Sequence, residues 1–175
     1  QRRKEKIFFK KWFLKNNYNV IEVPSEFSFE GCGDVIISEG KMIAGYGFRT
    51  DLGALKFASK SLELDLIYLK LINPSFYHLD TCFCLISKDL AIYNPNAFSS
   101  YTLNKIKDIE MIPVSESDAN NFACNSIAIG NNIIMPSDND SISKALSDRG
   151  YEVYHINTSE FLKSGGSVQC MCLWL

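Results

Sequence analysis

The chain has 175 residues, 46% of them hydrophobic, and its 18 basic and 20 acidic side chains leave a formal charge of −2. That length and apolar content support one domain, residues 1–175, with a real core, and a charge so close to zero supplies no basic field for nucleic acid. No long apolar run suggests a membrane span, so the expected partner is a small molecule.

Gln1-Arg2-Arg3-Lys4 leads into an amphipathic segment rather than a signal peptide, which predicts a cytoplasmic setting. The six cysteines, Cys32, Cys82, Cys84, Cys124, Cys170 and Cys172, lie mostly within apolar runs, a pattern that suits reduced thiols better than a disulfide framework. The first residue is not Met and the opening helix has no cap signal, so the chain is expected to begin inside a longer protein.

Residues 4–15 place Ile7, Phe8, Trp12 and Phe13 on one stripe of a helix. Asn16-Asn17 stops it, and Tyr18 to Val23 reads as a strand that Pro24 breaks. A glycine-bearing loop, Phe27 to Asp34, precedes a strand at Val35 to Ser38, a turn at Glu39-Gly40 and a strand through Met42 to Tyr46. Thr50 or Asp51 caps a helix reaching about Lys60, and Leu64 to Leu71 is the next strand.

The same order then returns twice. Strands at Thr81 to Ser87 and Leu90 to Tyr93, a helix from Ser99 to Ile106 and a strand at Ile109 to Val114 form a second copy. The third has strands at Ser126 to Gly130 and Ile133 to Met135, a helix capped by Ser137 or Asp138 and running to Ser147, and a strand at Tyr151 to Ile156. Asp34, Asp80, Asn125 and Cys170 follow one another at intervals of 46, 45 and 45 residues, so a polar residue recurs where each first strand opens. Arranged around an axis, such units bring those positions to one end of it, which predicts a repeat-built α/β architecture.

Four polar clusters fall at these mouths: Glu30 with Asp34, His78 with Asp80, Asn125, and Cys170 behind Gly165-Gly166-Ser167. A thiol acts as a nucleophile when a base or a lowered pKa activates it, and His78 is the better-placed histidine, since His155 lies in the third strand of its unit. Carboxylates gathered in one hole call for a cationic guest, and a planar guanidinium fits that demand. The bland readings are a buried core cysteine at Cys170, loop-satisfying carboxylates at Glu30 and Asp34, a turn residue at Asn125 and a surface charge at Arg49. Two Cys-x-Cys pairs, Cys82 with Cys84 and Cys170 with Cys172, raise a metal site, but zinc knuckles use Cys-x-x-Cys on tight turns. No metal and no cofactor are expected.

Phe29-Glu30-Gly31-Cys32-Gly33-Asp34, Gly45 to Asp51, Phe76-Tyr77-His78-Leu79-Asp80-Thr81-Cys82-Phe83-Cys84, Phe122 to Asn125 and Gly165 to Cys170 together resemble the motifs of the guanidino-group-modifying superfamily. Its members include arginine deiminase, arginine dihydrolase, dimethylarginine dimethylaminohydrolase and the amidinotransferases. The resemblance runs through nearly the whole chain. It implies the pentein fold, an α/β propeller of ββαβ units about a pseudo-fivefold axis, with part of the N-terminal units absent from this chain. It also implies Cys170 as nucleophile, His78 as general acid/base and Glu30 as catalytic carboxylate. Asp80, Asp34 and Asn125 fall to substrate binding, with Arg49 of the Arg-Thr element on the substrate α-carboxylate. The motif around Glu30 carries one extra residue, reading Glu-Gly-Cys-Gly-Asp, and His78-Leu79-Asp80 reads as in deiminases, which favours unmethylated arginine.

The expected activity is hydrolysis of a guanidino C–N bond through an S-amidino-cysteine intermediate. Transfer of the amidino group to an amine, and a non-catalytic binding module of the same fold, are the alternatives. The apolar run from Cys170 to Leu175 should not face water unpaired, which predicts an apolar edge or a partner there, a homo-oligomer included.

Overall fold

A computed structural model describes residues 5–174 of the chain. After helix α1 (Lys6–Lys15), three units follow with one topology: β1 (Val35–Ser38), β2 (Lys41–Tyr46), α2 (Leu52–Ser61), β3 (Asp65–Lys70); β4 (Phe83–Ser87), β5 (Leu90–Tyr93), α3 (Ser100–Leu103), β6 (Glu110–Pro113); and β7 (Ile127–Ile129), β8 (Asn132–Pro136), α5 (Asp140–Ser147), β9 (Glu152–Ile156). Short helices α4 (Glu116–Asn120) and α6 (Ser159–Leu162) follow the second and third units. In each unit the first strand pairs antiparallel with the second and the third pairs parallel with the second. The parallel pair needs a crossover, which the helix provides.

The middle strand of each sheet is apolar on both faces. Met42 and Ala44 of β2 pack with Leu55 and Ala58 of α2, whereas Ile43 joins the larger core shared by the units, with Leu69, Leu79, Phe83, Ile92, Ile133 and Leu146. Gly45 permits a close junction between units: a Cβ there would lie 3.0 Å from Leu79 Cβ, so β2 and the turn bearing Asp80 meet almost backbone to side chain. The two-residue turn between β1 and β2 uses left-handed φ values of 49° at Glu39 and 73° at Gly40, as a tight hairpin of matching twist requires.

The first strands share one space. Val35 to Ile37 of β1, Phe83 to Leu85 of β4, and Ile127 and Ala128 of β7 line a single cavity of about 590 Å³, and Trp174 also lines it. That convergence is the axis predicted from the repeat. Each mouth is a 3-10 or similar turn whose last backbone bond runs from Asp34 N to Gly31 O, Cys82 N to Leu79 O, Asn125 N to Phe122 O, and Cys172 N to Gln169 O. Asp34 and Asn125 thus close their turns, while Asp80 and Cys170 sit two residues earlier, in the middle of theirs. The even spacing of those four residues conceals two different turn positions.

Several local expectations are corrected. Residues 18–23 join no strand among the described residues, because no neighbouring backbone completes their ladder. The α1 stripe faces outward, with Ile7, Phe8 and Trp12 exposed, and Lys6 and Lys10 pair with Glu22. Helix α3 ends at Leu103, and the cap of α5 is Asn139, since Asp138 takes a left-handed φ of 65°. Cys170 lies not at the start of a strand but in a 3-10 turn, Gln169–Met171. Leu173 and Trp174 beyond it are more than half exposed, the apolar edge expected there; Leu175 lies outside the described residues. No helix among the described residues is long and apolar enough to cross a membrane.

Candidate active site

Cys170 presents its sulfur to two side chains from two other units. Its thiol donates to Asp80 Oδ2 at 3.3 Å, and Asn125 Nδ2 donates to Sγ at 3.2 Å. Two glycines make the approach to this turn possible. Gly165 adopts a φ of 78°, with Tyr77 Oη 2.9 Å from where its Cβ would be, and a Cβ on Gly166 would crowd Cys170 Cβ at 3.1 Å. The Tyr77 hydroxyl donates to Gly165 O at 3.0 Å.

Asp80 is 7% exposed, and its Oδ1 is buried with no hydrogen-bond partner. An ionised carboxylate in that position is costly unless a donor reaches it. Burial pushes the Asp80 carboxyl up to about 6, Asp34 adds to the rise, and the bonds from Cys170 and Asn125 oppose it. The Cys170 thiol is raised as well, first by its surroundings and then by the Asp80 charge. Without a guest, the pair therefore favours the neutral thiol. A cation bonded to Asp80 cancels the second cause, so thiolate formation and cation binding support one another.

Asp34 and Thr50 lock the neighbouring mouth. Asp34 Oδ2 accepts from the Thr50 hydroxyl at 2.6 Å and Oδ1 from Leu79 N at 3.0 Å, while Thr50 Oγ1 accepts from Glu30 N at 3.1 Å. Burial raises the Asp34 pKa against these bonds, and the His78 and Glu30 charges both act on it. The Glu30 turn is pressed against His78: a Cβ on Gly33 would lie 3.2 Å from His78 Nδ1. Glu30 and His78 occupy equivalent positions, each immediately before its 3-10 turn. The Tyr77 ring sits 4.8 Å from that of His78, and the Arg49 guanidinium lies over the Tyr77 ring at 5.1 Å.

All seven residues singled out in the sequence therefore belong to one connected set, but in unequal ways. Glu30 and Arg49 are exposed, Asp80 and Cys170 touch, and His78 lies against the Glu30 turn. Asp34 and Asn125 direct their side chains to protein groups. Asn125, completely buried, bonds Asp80 O, Cys170 Sγ, Ser167 N and Cys170 N, which uses its amide fully. Asp51 stands at the N-cap of α2 as expected, its carbonyl accepting from Leu55 N, while its carboxylate accepts from Ser28 N and fixes the Glu30 loop. The axial cavity is a separate, mostly apolar space that Asp80 and Gln169 border, with Glu30, His78 and Cys170 outside its lining. Tyr77 escaped the sequence reading, although its place directly before His78 was visible. The six cysteines are unpaired, and no group of three or more His, Cys, Asp or Glu side chains suited to a metal occurs among the described residues.

Comparison with known proteins agrees with this arrangement. The bifunctional arginine dihydrolase/ornithine cyclodeaminase AgrE of the cyanobacterium Nostoc is 38% identical over 180 residues, which span 99% of this chain and 26% of AgrE. The N(G),N(G)-dimethylarginine dimethylaminohydrolase of Mycobacterium tuberculosis is 35% identical over 146 residues, covering 82% of this chain and 48% of that protein. The structure superimposes with a TM-score of 0.92 on the N-terminal domain of ArgZ from Synechocystis, solved covalently bonded to a reaction intermediate; the match has 38% identity and covers 97% of this chain and 65% of that one. The chain thus spans about a quarter of the length of the bifunctional relative. Over residues 1–175 it matches the family described as eukaryotic N,N dimethylarginine dimethylhydrolase, and with three ββαβ units turned about one axis and a thiol, a histidine and carboxylates at their mouths, it belongs to that family, within the guanidino-modifying pentein superfamily.

Proposed function

We propose that the protein hydrolyses a guanidino C–N bond of arginine, with Cys170 as nucleophile. One observation carries the reading: the Cys170 thiol touches a buried carboxylate, Asp80, whose second oxygen has no partner. A guanidinium offers that oxygen an N–H donor and a positive charge in one planar group, and the same contact holds the guanidinium carbon beside the sulfur.

The steps balance without a cofactor. The Cys170 proton passes to His78 and the thiolate attacks the guanidinium carbon. His78, held against the Glu30 turn, hands that proton to the departing nitrogen, which leaves as ammonia, and an S-amidino-cysteine remains. His78 then takes a proton from water, the hydroxide attacks the same carbon, and the C–S bond breaks to give a ureido product and the free thiol. Arg49, over the Tyr77 ring at the rim, receives the substrate α-carboxylate. The His78-Leu79-Asp80 sequence and the arginine dihydrolase named among the relatives both support unmethylated arginine.

The test is to incubate the full-length protein with arginine and, separately, with N,N-dimethylarginine, and to follow ammonia or dimethylamine release and the mass of the peptide containing Cys170. Ammonia release with an adduct on Cys170 is expected. Dimethylamine as the preferred product would reassign the substrate, and product formed only when glycine or lysine is supplied would make it a transferase. A smaller expectation concerns Gly33. Because an added Cβ would press on His78 Nδ1 at 3.2 Å, Gly33→Ala should lower kcat by about 10- to 100-fold through a displaced imidazole and leave the thermal midpoint nearly unchanged; steady-state kinetics beside a melting curve checks both.

A further inference from the structure

We infer that Asn125 is the positioning residue of the nucleophile: its amide holds the Cys170 turn with one atom and supplies a hydrogen bond to the thiolate with the other. This rests on the reading of Cys170 as nucleophile, but its geometry stands by itself. The amide orientation follows from its partners. Ser167 N and Cys170 N can only donate, so the atom they face, at 3.0 and 3.3 Å, is Oδ1. Asp80 O can only accept, so the atom facing it at 3.0 Å is Nδ2. The same nitrogen lies 3.2 Å from Cys170 Sγ.

Nδ2 must therefore be a donor to sulfur, and the sulfur sits between a donor and an acceptor. As a thiol it gives its proton towards Asp80 Oδ2 and accepts from Asn125. As a thiolate it keeps the Asn125 bond, which strengthens with charge, and loses the Asp80 bond. Asn125 favours the reactive form and Asp80 the resting one. The backbone adds rigidity, since Asn125 O accepts from Gln169 N at 3.1 Å and Asn125 N closes its own turn on Phe122 O at 2.8 Å. One buried side chain thereby ties the Asp80 turn, its own turn and the Cys170 turn into a single body.

Asn125→Asp separates the two arms. It is isosteric, keeps an oxygen towards Ser167 N and Cys170 N, and replaces the donor facing sulfur with an oxygen. The pH midpoint for alkylation of Cys170 by iodoacetamide, read by peptide mass, should rise by about one pH unit or more, and kcat for arginine should fall at least about 100-fold. Asn125→Ala, which retains the backbone bonds, should raise the midpoint in the same direction. An unchanged midpoint in a folded variant overturns the inference. Should both variants unfold, the wild-type protein decides: the Asn125 side-chain amide NMR resonances should shift with pH at the midpoint of Cys170 alkylation, and resonances that stay still across that midpoint overturn it. A protein inactive on arginine would defeat the proposed function and leave these alkylation and NMR outcomes readable.

Discussion

Cys170→Ser should abolish both arginine turnover and the covalent adduct, with a loss on the order of 10⁴- to 10⁶-fold in kcat, as when a nucleophile acting as part of a unit is removed. A serine hydroxyl can accept from Asn125 and donate to Asp80 as the thiol does, so ground-state binding should survive. What it cannot do is ionise: attack on a resonance-stabilised guanidinium needs a strong nucleophile, and a hydroxyl remains protonated where a thiol, relieved of the Asp80 charge by the bound cation, does not. Calorimetry should therefore show arginine binding of similar strength in the variant, while ammonia release disappears. His78→Ala provides the contrast. With no group to activate water, any adduct that forms on Cys170 should persist, visible as a stable mass increase on its peptide. A serine variant that turns over at near-normal rate, or a histidine variant that releases product as fast as wild type, would remove the corresponding residue from the mechanism.

Strands and repeat were legible because each unit announces itself locally. Apolar runs are broken by Glu39-Gly40, Lys88-Asp89 and Asn131-Asn132, and short continuous apolar runs on both sides of such turns read as the buried strands of hairpins. Helix α4 was missed because its residues, Glu116 to Asn120, carry no apolar stripe. Its signal was a cap: Ser115 Oγ accepts from Asp118 N at 3.0 Å and donates to the Asp118 carboxylate at 2.8 Å, a Ser-x-x-Asp pattern open to reading. The segment 18–23 failed for the opposite reason, since a β-prone composition describes a residue's fit to a sheet and not the existence of a neighbour.

At the site, residue types were legible and their division of labour was not. Glu30, His78, Asp80 and Cys170 stand at unit mouths by spacing alone. That Asp34 spends its oxygens on Thr50 and Leu79 N, and that Asn125 holds Ser167 N and Cys170 N, depends on backbone groups distant in sequence. No periodicity encodes such contacts. The two-residue difference in turn position between Asp34 and Asp80 has a direct consequence: Asp34, closing its turn, bonds Thr50 and Leu79 N, whereas Asp80, in mid-turn, meets the sulfur.

Asp80→Asn is expected to make the protein more stable at neutral pH while destroying its activity. The carboxyl has an ordinary value of 3.8 and is lifted to about 6 in the fold, chiefly by burial. Below about pH 3 it is protonated folded or unfolded and contributes no pH-dependent term. As pH rises the unfolded chain ionises first, so stability falls through the window from about 4 to 6, and above it the folded state bears a cost of about 3 kcal/mol. An asparagine of the same shape removes that term. The variant should melt higher than wild type by several degrees at pH 8, at roughly 2–4 °C per kcal/mol for a chain of this size, and the gain should vanish at about pH 3. Turnover should fall by at least about 10³-fold, because the neutral amide neither attracts the guanidinium nor holds its carbon beside Cys170 Sγ. Thermal unfolding of both proteins at the two pH values, with ammonia release measured alongside, reads both effects. Equal melting temperatures at pH 8 would mean that the folded protein already satisfies the Asp80 charge, and the case for a cationic guest at that carboxylate would fail with it.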